Sequence, residues 1–255
     1  MIAPLIISQM TPEPMLLDNY YSEASSKIHF TRKQASDFAK DIAGDFNPIH
    51  NEDAKRFCVP GDLLFALLLS KYGISQKMRV TFSGMVSDGV ALHFKDSTGD
   101  DITIVDDKEK EYLSLSRNGT ASQDTALIHN LTCRYVEFSG QTFPHILVPL
   151  MKEHQVMINP DRPLVIYESM VIDIDDLNIA QPQLELSNST LEVEGKRGTV
   201  CLMFNLLSNG KVIGKGEKNM VLSGLREYDE DRLQHLVMGY DARKTGYVRV
   251  QDLIS

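Results

Sequence analysis

The eight residues Asp62-Leu63-Leu64-Phe65-Ala66-Leu67-Leu68-Leu69 are apolar at every position but the first. On a helix such a run has no polar face to turn toward water, and it is far shorter than the roughly 20 residues that a bilayer-spanning helix needs. A helix of this kind must be wrapped by the rest of its own chain. Wrapping material follows at once, in β-like stretches at Lys77 to Ser83, Val86 to Phe94, Asp101 to Asp106 and Glu111 to Arg117.

One buried helix enclosed by an antiparallel sheet is the hotdog architecture. Upstream, a short strand around Lys27 to Phe30 leads into Thr31-Arg32-Lys33-Gln34, where Thr31 can cap a helix and Gln34 can return the bond. Ala35, Phe38, Ala39 and Ile42 then recur at helical spacing until Gly44 stops the helix. The second half repeats the order. It starts at the segment around Ala126 to Phe138 and passes through Ser139-Gly140-Gln141-Thr142 into a helix from Phe143 to Gln155. Strands follow from Leu164 to Ile174, Gln183 to Val193, Thr199 to Leu207 and Lys211 to Leu225, the last two joined by the hairpin signal Asn209-Gly210.

The expected fold is therefore α+β, a double hotdog. Its parts are an N-terminal tail (1–24), an N-terminal hotdog (25–120), a degenerate C-terminal hotdog (121–227) and a helical extension (228–255). Each sheet alone would expose a pairing edge, so fusion should join the two into one antiparallel surface, a pseudo-dimer within the chain that can further associate as a homodimer.

Composition narrows the partners. Lys and Arg number 26 against 35 Asp and Glu, and the net charge of -9 opposes phosphate backbones and anionic lipid, so neither nucleic acid nor a membrane is expected as a partner. Cys58, Cys133 and Cys201 are odd in number and form no CxxC pair, which suits a reducing, cytoplasmic setting without a metal or redox cofactor. No Lys or Arg precedes Lys27, so the opening segment reads as neither signal peptide nor anchor.

The chemistry concentrates in Asp45-Phe46-Asn47-Pro48-Ile49-His50. Pro48 forces Asn47 to be extended and suits the first position of a helix, which makes Asn47 the N-cap and puts His50 in the first turn. The positive helix end there favours a neutral ring that can accept a proton. Asp45 can lie beside it and grip the same water. The plainer reading is that Asp45 and Asn47 merely end one helix and start the next, with His50 on a wet surface.

Asp-Phe-Asn-Pro-Ile-His, set between a capped amphipathic helix and a wrapped apolar one, resembles the MaoC-like, (R)-specific enoyl-CoA hydratase and 3-hydroxyacyl dehydratase family, here as a bacterial branch. The closer match runs from Phe30 to Leu69. The resemblance implies syn hydration of a trans-2-enoyl thioester of coenzyme A or acyl carrier protein, or the reverse dehydration, as in fatty acid metabolism. It implies Asp45 and His50 as the catalytic pair, Asn47 as their support, and the Gly61 N–H at the start of the buried helix as the donor to the thioester carbonyl. The chain departs from the family's usual His-Gly-Met at Pro60-Gly61-Asp62, where an anion would oppose negative charge developing on that oxygen. Two other readings stay open: a non-catalytic acyl-thioester-binding hotdog protein, and a structural protein whose sheet is an oligomer surface. Asp241 to Gly246 with Asp252 is reminiscent of a calcium loop, but Arg243 stands where an oxygen ligand is needed. The second half carries no counterpart of the Asp-x-Asn-Pro-x-His motif.

Overall fold

In a computed structural model the chain is described over residues 17–96, 99–179 and 181–248. Strands β1 (Ser22–Ala24) and β2 (Lys27–His29) form a hairpin, so strand structure begins inside the segment read as a tail. Helix α1 (Arg32–Asp37) opens on the expected reciprocal cap: the Gln34 N–H donates to the Thr31 hydroxyl, and the Thr31 N–H donates to Gln34 Oε1 at 3.0 Å. A π turn, Phe38–Ile42, carries the helix on to Gly44, which has φ +62°.

Helix α2 (Gly61–Tyr72) buries every residue from Asp62 to Leu69. Strands β3 (Ile74–Phe82), β4 (Leu92–Asp96), β5 (Asp101–Asp106) and β6 (Glu111–Ser122) enclose it. The stretch expected as strand from Val86 is extended chain and turn until Leu92. Gly89 turns with φ +75°, and the Val86 carbonyl accepts the Val59 N–H at 2.8 Å instead of a sheet partner, which ties this loop over the entry to α2.

The second half opens differently from the first. Ala126 to Phe138, which stands where the first half has the β2 strand, lies in helix α3 (Thr125–Gly140), capped by the Asp124 side chain. Leu127, Leu131, Tyr135 and Phe138 recur at helical spacing, and all four are buried in one core with α2. A π turn, Phe143–Leu147, and helix α4 (Val148–Glu153) follow. Then come β7 (Val156–Met157), β8 (Val165–Ile174), β9 (Gln183–Glu194), β10 (Arg197–Ser208), β11 (Lys211–Ser223) and β12 (Arg226–Glu227), with helix α5 (Glu230–Thr245) last. Asn209 and Gly210 make the β10–β11 turn with φ of +51° and +75°, as the hairpin signal requires.

The fold is α+β, with helices laid on a large antiparallel sheet in the hotdog manner. The main sheet runs β1-β2-β4-β5-β6-β3-β8-β11-β10-β9, and it passes unbroken between the halves through β3 and β8, paired from Lys77 opposite Asp173 to Thr81 opposite Ser169. On either side of that pair the order repeats: the strand after the helix, then the last strand, then the other two in reverse. Strand β6 continues to Ser122, past the division placed at 120, so the halves meet in the turn before α3. Two apolar cores result, one around α2 and α3 and a smaller one under α4. Among the described residues, no helix is long and apolar enough to cross a membrane.

Candidate functional site

The left-handed turn at Gly44 reverses the chain after the π turn and lets the Asp45 N–H bond back to the Ala39 carbonyl at 2.8 Å. Asp45 is fixed from its side chain as well, because its Oδ1 accepts the Asn47 N–H at 2.9 Å. Asn47 is extended, as a residue before proline should be, and its Oδ1 accepts the Ile49 N–H at 3.2 Å. The helix expected from this cap is only a three-residue 3-10 turn, Pro48–His50. A single turn has too few aligned peptides for the helix-end argument made for His50.

A different contact sets the histidine ring. Its Nδ1 lies 2.7 Å from the Cys58 carbonyl, and a carbonyl can only accept, so Nδ1 carries hydrogen. In the neutral ring Nε2 then presents a lone pair toward Asp45 Oδ2, 3.7 Å away. Two acceptors facing each other at that spacing do not bond directly, but one water can donate an O–H to each. The His50 side chain is 13% exposed and that of Asp45 23%, so the pair is not on a wet surface.

Both residues line a cavity of about 350 Å³ whose walls include Leu64, Phe82, Phe143, Leu147 and Met220. Gly61 opens α2 at the same cavity, so its N–H is one of the first helix amides, which have no carbonyl within the helix to bond. A Cβ at Gly61 would stand 2.9 Å from the Phe82 ring and 3.3 Å from Tyr167, two rings tilted against each other with centroids 4.2 Å apart. Glycine is what lets the helix end approach them. The cavity thus brings Asp45, Asn47, His50 and Gly61 together.

Asp62 is not a helix cap. Pro60 holds that position, and the Asp62 side chain turns inward, where Oδ2 accepts the Ser139 hydroxyl at 2.5 Å. Ser139 Oγ in turn accepts from the Lys218 ammonium at 2.5 Å, which lies 4.4 Å over the Tyr167 ring. Burial pushes the Asp62 carboxyl up and the Lys218 ammonium down, and each opposes the shift of the other. The carboxyl that follows Gly61 is therefore linked through Ser139 to a buried lysine.

Lys218, Ser139 and Tyr167 were not singled out by the sequence, although signals for the first two exist. On β11 the inward positions Gly214, Gly216, Lys218, Met220 and Leu222 alternate, and a lysine in phase with that set must be buried. Ser139 follows Phe138 at the end of the buried face of α3. Tyr167 is aimed by a β-bulge opposite Asn219 and Met220, which no sequence pattern announced.

The C-terminal helix supports the same loop. The Tyr240 hydroxyl is shared between the carbonyls of Gly44 (3.0 Å) and Gly140 (3.2 Å), and Arg243 donates to the Phe46 carbonyl at 3.2 Å. A Cβ on Gly140 would meet the Ala43 carbonyl at 1.9 Å, so glycine there is what lets α3 reach the Asp45 loop. Asp241 to Thr245, read as part of a calcium loop, lie in α5, and Asp252 lies outside the described residues.

Residues 15–231 match the model of a family described as Protein of unknown function (DUF3581). No curated protein matches the chain. Among solved structures, the chain is similar to a conserved protein of unknown function with hot dog fold from Alicyclobacillus acidocaldarius, at 7% identity and TM-score 0.48, covering 83% of this chain and 99% of that one. It is also similar to a MaoC-like dehydratase, at 9% identity and TM-score 0.41, covering 82% and 99%. A third is the acyl-CoA thioesterase II TesB2 from Mycobacterium marinum, at 10% identity and TM-score 0.39, covering 67% and 90%.

Proposed function

The chain belongs to the family described as Protein of unknown function (DUF3581), and we propose that it hydrates trans-2-enoyl thioesters of coenzyme A or acyl carrier protein, or dehydrates the (R)-3-hydroxyacyl forms. The observation that carries this reading is the Asp45–His50 pair, two facing acceptors 3.7 Å apart at an apolar-walled cavity. In this reading a water held by both gives its proton to His50 Nε2 as its oxygen bonds to C3 of the enoyl group. The C2=C3 electron pair moves toward the thioester carbonyl, and a proton returns to C2, so one water is added across the double bond. Asn47 keeps the loop in register, and the Gly61 N–H stands where it can donate to the carbonyl. A cavity of this volume falls in the range of small-molecule sites. The MaoC-like reading of the motif and the two-hotdog reading of the repeated strand order belong to the same proposal.

Crotonyl-CoA and longer enoyl-CoAs should lose their enoyl absorbance with the purified protein and keep it with Asp45→Asn. A second reading is favoured by the departure at Asp62: a non-catalytic acyl-thioester binder. It expects the melting temperature to rise with acyl-CoA while no enoyl-CoA is consumed, and absorbance loss with the unaltered protein excludes it.

A further inference from the structure

Three polar side chains from three elements meet in the same cavity, all nearly closed to solvent: Asp62 of α2 at 9% exposure, Ser139 of α3 at 7% and Lys218 of β11 at 4%. Burying such a group gives little stability. Replacing a buried ion pair by apolar side chains of similar size is often neutral or stabilising. The array also leaves hydrogen-bonding capacity unspent, since Asp62 Oδ1 is buried without a partner and Ser139 takes one of the three ammonium donors of Lys218.

Its placement says what it faces. The charge of Asp45 acts on both Asp62 and Lys218. Gly61 and Lys218 flank the same ring, the position of a Gly61 Cβ lying 3.3 Å from Tyr167 and Lys218 Nζ 4.4 Å from its centroid. We infer that Lys218, held by Ser139 and Asp62, is a binding residue for the acyl carbonyl oxygen of the ligand, working with the helix-end amide of Gly61. The identity of the ligand as an acyl thioester rests on the proposed function; the subsite itself rests on the buried array. As water adds at C3, negative charge grows on that oxygen, and the ammonium stabilises it without any proton leaving Lys218. In the resting cavity the charge of Asp62 offsets that of the ammonium through the shared Ser139.

Calorimetric titration with butyryl-CoA and with its S-butyl thioether, which lacks the carbonyl oxygen, separates the possibilities. The unaltered protein should bind the thioester at least about tenfold more tightly, as expected for one hydrogen bond to a charged donor. The Asp62→Asn/Lys218→Met double variant, which leaves neither charge buried alone, should lose most of that preference and keep only the part that the Gly61 N–H supplies. Equal binding by the unaltered protein, or undiminished discrimination in the double variant, overturns the role of Lys218 while leaving thioester binding standing. Failure to bind either compound overturns the thioester reading and the ligand named here with it. If the double variant does not fold, Ser139→Ala takes its place: a severalfold loss of discrimination supports the inference, and full discrimination overturns it.

Discussion

Asp62 and Lys218 are the residues at which burial and charge conflict most. Removing one partner strands the other charge in a closed site, so Asp62→Asn or Lys218→Met alone should destabilise by about 3–5 kcal/mol. The double substitution should lie close to the unaltered protein, which makes the pair strongly non-additive in urea unfolding. Simple addition of the two single effects would mean that the charges do not share a closed environment. The thiols offer a second test at this scale. Burial pushes Cys58 up to about 11 and Cys133 up to about 12, while Cys201 is only partly buried. Because the thiolate is the reacting form, iodoacetamide at pH 8 should modify Cys201 first and reach the other two only on unfolding. Early labelling of Cys58 would show that the loop carrying His50 opens in solution.

At the scale of elements, α2 and the His50 turn should divide stability and activity between them. Leu67 is buried in the apolar run of α2, and Leu67→Ala should lose about 2–5 kcal/mol through lost transfer energy and a cavity. His50→Ala removes one hydrogen bond, to the Cys58 carbonyl, for about 1 kcal/mol, while abolishing enoyl turnover. Thermal unfolding beside the absorbance assay checks both, and a His50→Ala protein as unstable as Leu67→Ala would make His50 a structural residue. The sequence made α2, the Thr31 cap and the Asn209-Gly210 hairpin legible because each is decided within a few residues. It assigned no element to Ala126 to Phe138, although Leu127, Leu131, Tyr135 and Phe138 already carried a helical period. The helix expected after Asn47 is a single turn, and the chain then comes back to place the Cys58 carbonyl on His50.

For the whole molecule, the edge argument anticipated a sheet shared between the halves, and β3 and β8 join them. What local reading could not supply is convergence. Asp62, Ser139 and Lys218 are separated by 77 and 79 positions in the chain, and only packing α2 and α3 against β11 brings them to the cavity that holds Asp45 and His50. If the pair at this cavity activates water, the oxygen of that water ends on C3. Incubating the protein with enoyl-CoA in water enriched in heavy oxygen and analysing the products by mass spectrometry tests it directly. An intact thioester carrying the heavy atom on its C3 hydroxyl should form with the unaltered protein and not with Asp45→Asn. Heavy oxygen found only in a released carboxylate, the mark of attack at the thioester carbonyl, or no labelled product with any chain length or carrier, would contradict it.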